Sequence, residues 1–217
     1  MLLYDTQRSG NAWKVRLLAG MLGIPLQRIT LSIDRGDLNS DEFGAVAPLR
    51  QVPVLKLADG EIVAESMAIL YRLAAGSPWW PSLLVDQARV LTWLSFEQAH
   101  HMKPLAQLRL HLSLRRDFEP DDPEMKRHLV DARRALDMLE EQLARQVRGG
   151  ALWVATTEHP SIADIALYPY SQLAPMSGVD LAVYPCVSSW LGRIAAIPGY
   201  QTLFPGRPDL NFSASEI

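Results

Sequence analysis

Residues 51–66 read QVPVLKLADGEIVAES, and the reading of the N-terminal third turns on them. The apolar-rich runs Val52–Leu57 and Glu61–Val63 flank Ala58-Asp59-Gly60, and Asp-Gly between two such runs is a strong hairpin signal. Glu65-Ser66 then opens a helical pattern through Ala74, with Met67, Leu70 and Ala74 on one face. Upstream, MLLYD reads as a short strand and RSGN as turn chemistry. Val15, Leu18 and Leu22 carry a helical spacing that Gly23 and Pro25 end. Leu26 to Leu31 alternates as a strand does, and Ser40 to Val46 is weakly helical. The order β-α-β-α-β-β-α describes a compact α/β domain over residues 1–76.

The rest of the chain changes character. Residues 76–83, GSPWWPSL, read as a linker: glycine, two prolines and no periodicity. Trp79-Trp80 there are expected to plug the seam between two domains. From residue 84 to 217 no strong strand signal appears, so this half reads as all-α. Val90 to Arg116 is helix-like with Pro104 inside it, which predicts a kink. Asp122-Pro123-Glu124 is cap chemistry for a long helix striped by Met125, Leu129, Ala132, Leu136, Leu139, Leu143 and Val147, and Gly149-Gly150 stops it. Ser161-Ile162-Ala163-Asp164 is a capping box with Asp in place of Glu. Pro185 to Ile197 is a last helix, ended by Pro198-Gly199.

Composition sets the outer bounds. The 217 residues are 48% hydrophobic and 21% charged, with net charge −3, enough to bury a sizeable core. No Lys/Arg block stands out, which argues against nucleic acid as a partner. No apolar stretch approaches the roughly 18 residues of a membrane span. The N-terminal apolar run is too short for a signal peptide, so the cytoplasm is the expected compartment. The single cysteine, Cys186, excludes an internal disulfide and a Cys-rich zinc site, and no metal is expected.

Several segments match one family in order. They are Leu3-Tyr4-Asp5, Ser9-Gly10-Asn11, Lys14-Val15-Arg16, Pro48 through Val52-Pro53-Val54-Leu55, Glu65-Ser66 and Ile69-Leu70-Tyr71, then Ser161 through Ala166 and Trp190 through Tyr200. Together they resemble a glutathione transferase of the bacterial type with an S-G-N start. Each motif alone is weak, and their joint order carries the likeness over nearly the whole chain. The resemblance implies a thioredoxin-like N-terminal domain that binds glutathione and an all-helical C-terminal domain that lines a second-substrate pocket. It also implies a homodimer with its seam on the long helix around Phe96-Glu97-Gln98.

The resemblance assigns roles that the residues themselves leave open. It implies that Pro53 is cis and that Val52 pairs its backbone with the cysteinyl part of glutathione; read alone, Val52-Pro53 suits a trans proline starting an edge strand better. Glu65 and Ser66 would take the γ-glutamyl ammonium and carboxylate at a helix N-terminus, where ordinary capping also puts such residues. Gln51 would bond the ligand backbone, although Ala47 and Arg50 stand where Asn and Gly are common in the family. Ser9 or Asn11 would donate to the glutathione thiolate, and Ser9 is preferred because its hydroxyl rotates freely. His100-His101 point about 100° apart and cannot share a ligand. A surface or interface histidine is the plainer reading, with His101 a candidate in the second-substrate pocket. Asp164 is read as a folding residue. The activity implied is conjugation of glutathione to a small electrophile, as in detoxification. Glutathione-dependent disulfide reduction, peroxidase chemistry and a non-catalytic interaction module are alternatives. A glutaredoxin-like enzyme would carry its own cysteine at the first turn, where this chain has Ser9.

Overall fold

The computed structural model describes residues 1–204. Its first part is a four-stranded sheet with helices on both faces. The strands are β1 (Leu2–Asp5), β2 (Gln27–Thr30), β3 (Val54–Lys56) and β4 (Ile62–Ala64), in the order β2-β1-β3-β4. β1 runs parallel to β2 and antiparallel to β3, and β3 runs antiparallel to β4, with Leu3 opposite Leu55 and Leu55 opposite Val63. The helices are α1 (Gly10–Met21), α2 (Asp41–Val46) and α3 (Ser66–Ala74).

The sheet separates two apolar clusters. Leu3 and Leu55 face Trp13, Leu17, Ile69 and Leu70 of α1 and α3. Val54 faces Phe43 of α2, with Tyr4 and Leu31 packed beside it. All four residues of β2 are exposed. The expected alternation there is corrected: β2 is an edge strand, and only its flanks Leu26 and Leu31 reach apolar neighbours. In the hairpin, Gly60 at φ 92° closes the turn and Glu61 N–H bonds Asp59 Oδ1 at 3.0 Å.

The second part is helical: α4 (Leu84–Phe96), α5 (Met102–Leu108), α6 (Pro123–Arg148), α7 (Ile162–Gln172) and α8 (Pro185–Ala195). The expected helix through Val90–Arg116 begins earlier and is broken twice by π-type turns, Glu97–His101 and Arg109–Arg115. The first lies just ahead of Pro104, whose missing N–H and ring disfavour a regular turn there. In α6 the stripe buries Met125, Ala132, Leu136, Leu139 and Leu143 and half-buries Leu129, while Val147 is exposed, because the helix outruns the core it lies on. Asp122 does not cap α6 with its side chain; it accepts instead from Glu119 N–H at 2.7 Å.

Every residue from Ile162 to Ser171 in α7 is buried, and this helix is the axis on which the two parts meet. Trp13 of α1 and Trp190 of α8 both set ring edges near Tyr168. Asp164 completes the capping box: it accepts from Ser161 N–H, Val154 N–H and Trp190 Nε1–H, each at 2.9 Å. Trp79 is buried, its carbonyl accepting from Ile162 N–H at 3.0 Å, so the linker is tied to the start of α7.

Candidate functional site

The site grows from three turns around the sheet edge. The Val52–Pro53 peptide is cis. Among the described residues no hydrogen bond occupies the N–H or C=O of Val52, so both remain available to an extended ligand backbone. Across from it α3 begins at Glu65, which sits at φ 70°, a conformation that a non-glycine residue adopts only when its surroundings impose it. The Glu65 side chain makes no capping bond. The first N–H groups of α3, and the positive end of its dipole, are therefore open to an anion. Ser66 is buried beneath them and Glu65 is exposed.

Asn11, Gln51, Val52, Pro53, Glu65 and Ser66 line one cleft. Thus six of the eight residues singled out from sequence come together. Ser9 is not among the lining side chains. It is the N-cap of α1, its Oγ accepting from Ala12 N–H at 3.1 Å, which leaves its own proton to donate. The Asn11 Oδ1 is buried without a hydrogen-bond partner among the described residues. Arg50 occupies φ 50°, a conformation glycine adopts most readily; its guanidinium lies over Gly44 and donates to the Ser40 carbonyl at 2.8 Å, which helps to hold the strained turn.

His101 is elsewhere. It is fully buried, with Nε2 2.9 Å from Ser171 Oγ on α7. Burial, and then the charge of Lys14, press its pKa down to about 3, so the ring stays neutral. The surface reading is corrected for His101 and holds for His100, which is exposed. Of the three residues around which the seam is expected, Gln98 is exposed, and Phe96 and Glu97 are buried within the chain.

Sequence reading missed the ion pair at the centre of the molecule. Lys14 Nζ of α1 meets Glu97 Oε1 at 2.6 Å with both side chains wholly buried, and the ammonium stands 5.7 Å from the centre of the Tyr170 ring. Burial pulls the Lys14 pKa down against the opposing attraction of Glu97 and, further off, Glu65. Tyr170 of α7 also presses on the first turn of α1: a Cβ on Gly10 would stand 2.8 Å from its Cζ. Burial pushes the Tyr170 phenol up to about 12, so it stays protonated. The one available signal was a lysine between the apolar Trp13 and Val15 of α1.

Comparison with known proteins agrees with this fold. Residues 8–75 match the family model for the glutathione S-transferase N-terminal domain, and residues 122–211 that for the glutathione S-transferase C-terminal domain. A glutathione S-transferase structure from Pseudomonas fluorescens Pf-5 superposes with TM-score 0.87 at 35% identity, covering 94% of this chain and 98% of that one. Maleylacetoacetate isomerase of Rattus norvegicus is 28% identical over 214 residues, 96% of this chain and 94% of its own. The structure of Ure2p in complex with glutathione shares the fold, with TM-score 0.80 at 24% identity over 91% of this chain and 90% of that one. With both halves matched and a solved relative alike along nearly its full length, the chain belongs to the glutathione transferase family.

Proposed function

We propose that this chain binds glutathione in the cleft between Asn11, Val52-Pro53 and Glu65-Ser66 and sets its thiolate against a small electrophile. The observation that carries the reading is the convergence, in one cleft, of an unpaired Val52 backbone, an uncapped helix start at Glu65-Ser66 and the Asn11 amide. Val52 pairs with the cysteinyl unit, Ser66 and the N–H groups of α3 take the γ-glutamyl carboxylate, and Glu65 takes its ammonium. Gln51 bonds the ligand backbone from the rim. Asn11 donates its amide toward the sulfur, with the Ser9 hydroxyl as the second donor. A thiol near pKa 8.5 lowered by about two units needs roughly 2.7 kcal/mol of thiolate stabilisation, the order that one or two such bonds supply.

Calorimetric titration with glutathione tests the binding half. Glu65→Gln and Ser66→Ala should each weaken binding about tenfold or more, with the melting temperature of the ligand-free protein within a few degrees of wild type. Unchanged affinity in both would mean that the γ-glutamyl end lies elsewhere.

A second reading uses the same thiolate. Its addition to a conjugated double bond, rotation about the resulting single bond and expulsion of the sulfur would isomerise the substrate and return glutathione. The full-length likeness to maleylacetoacetate isomerase favours this reading. Loss of free thiol during turnover separates them: conjugation consumes it, isomerisation does not. In either case residues 1–76 form the glutathione-binding unit and residues 84–217 the unit lining the second-substrate pocket. The protein acts as a cytoplasmic homodimer in detoxification. An exposed apolar groove lined by Met67, Tyr71, Trp80, Leu91 and Leu94, with Gln98 at its rim, supports the dimer.

A further inference from the structure

A second crevice opens where the parallel strands end. β1 and β2 stop at Asp5 and Thr30, and between the segments that follow lies a crevice lined by Thr6, Arg8, Ser32, Asp34 and Arg35. Thr6 is 3% exposed, and its hydroxyl has no hydrogen-bond partner among the described residues. The turn closes by Ser9 N–H to the Thr6 carbonyl at 3.2 Å, and Arg109 Nη1 donates to the Arg8 carbonyl at 2.9 Å, so the backbone beneath Arg8 is fixed from the helical half. Arg8 adjoins Ser9 and is three residues from Asn11, which caps their Cα separation at about 10 Å. The loop that lines the crevice thus runs directly into the turn that carries Ser9 and Asn11.

What the crevice accepts is indicated by what fills it. Arg8 Nη2 binds Asp34 Oδ2 at 2.5 Å, and the Asp34 side chain is 67% exposed against 16% for Arg8. A largely enclosed guanidinium thus holds a carboxylate that is itself mostly in water. Such a carboxylate is weakly retained and exchangeable, and guanidinium matches carboxylate geometry with two parallel donors. Arg35, also in the lining, is engaged by Asp37 at 2.9 Å. We propose that the Thr6–Arg8 crevice recognises a carboxylate on the electrophilic substrate, with Asp34 as the internal carboxylate that the substrate displaces. The proposal deepens the reading of the site as a thiolate attacking an electrophile, and rests on it.

The test pairs 4-chloro-3,5-dinitrobenzoate with its methyl ester, each rate divided by its uncatalysed rate with glutathione. The acid-to-ester ratio of kcat/KM should fall about tenfold in Arg8→Gln, mostly through KM of the acid, and less in Thr6→Val. It should rise in Asp34→Asn, which takes the competing negative charge away from Arg8. A ratio unchanged in Arg8→Gln and Asp34→Asn would overturn the proposal. Binding of unreactive 3,5-dinitrobenzoate, followed by calorimetry without glutathione, gives an independent readout: tighter in Asp34→Asn, weaker in Arg8→Gln. If glutathione fails to bind the wild type while this pattern holds, the thiolate reading falls and the carboxylate crevice stands; if the benzoate shows no such pattern, the crevice assignment falls whatever glutathione does.

Discussion

Asn11 carries the sharpest chemical question at the level of single residues. Its backbone belongs to the first turn of α1, and its amide lines the cleft beside Val52 and Pro53. Ser9, two residues earlier, spends an acceptor lone pair on Ala12 N–H and keeps its proton. Removing a donor from a thiolate raises the bound thiol's pKa, so activity is lost near neutral pH and returns as pH rises. Asn11→Ala should raise that pKa by about one to two units, a loss of roughly 1.5–3 kcal/mol at pH 7. Ser9→Ala should do less to the thiol while costing about 1 kcal/mol of helix-cap stability. The ultraviolet absorbance of bound thiolate against pH checks both. An unchanged titration in both variants would remove these residues from the thiol site. Asn11 was legible as a candidate because it sits where strand one meets helix one. Which of the two faces the cleft was not, since that depends on where β3 and α3 bring Val52 and Glu65.

At the level of elements, α7 holds the two halves in register, and its start is the point to break. Asp164 is buried and satisfies three N–H donors: two backbone groups and the Trp190 indole. Asp164→Ala would strand all three, and the unmet donors together cost roughly 3–5 kcal/mol. In a chain of this size that lowers the melting temperature by about 10 °C or more. Asp164→Asn keeps one acceptor oxygen and should lose about half as much. Calorimetric melts of the two variants check the ordering, and an Asn variant as unstable as Ala would show that the charge, rather than the number of accepted bonds, is what the fold needs. The capping box itself was readable, because Ser161 and Asp164 lie at fixed spacing on one turn. The π-turn at Glu97–His101 was not: Pro104 announced an irregularity, and only packing against α1 and α7 selected its form, with Glu97 on Lys14 and His101 on Ser171.

For the whole molecule, the exposed groove of Met67, Tyr71, Trp80, Leu91 and Leu94 is the surface most in need of a partner. Light scattering at micromolar concentration should give twice the chain mass. Leu91→Asp, at a side chain 52% exposed, should shift the population to monomer by setting a charge in the groove, with little change in the monomer's own stability. A wild-type monomer would remove the homodimer from the proposed function. Gln98, one of the residues around which sequence reading set the seam, stands in the lining of this groove, while Phe96 and Glu97 are covered by the chain's own packing.

Local chemistry was written in the sequence. The Asp59-Gly60 hairpin, the Ser161–Asp164 box and the stripe of α6 depend on residues within a few positions of one another, and period and turn chemistry report such relations directly. The helix start at Glu65-Ser66 is likewise local, and the family likeness added the expectation of a cis Pro53; the structure has both. Only tertiary structure decided the rest. Lys14 reads as a solvated charge until Glu97, 83 positions away, buries it. His101 reads as a surface residue until Ser171 takes its Nε2. Arg8 reads as a loop charge until Asp34 and Arg109 fix it in a crevice shared with the buried Thr6. A buried polar group is stable only with a partner, and the partner comes from wherever the fold brings a distant segment close, a relation that local spacing does not encode.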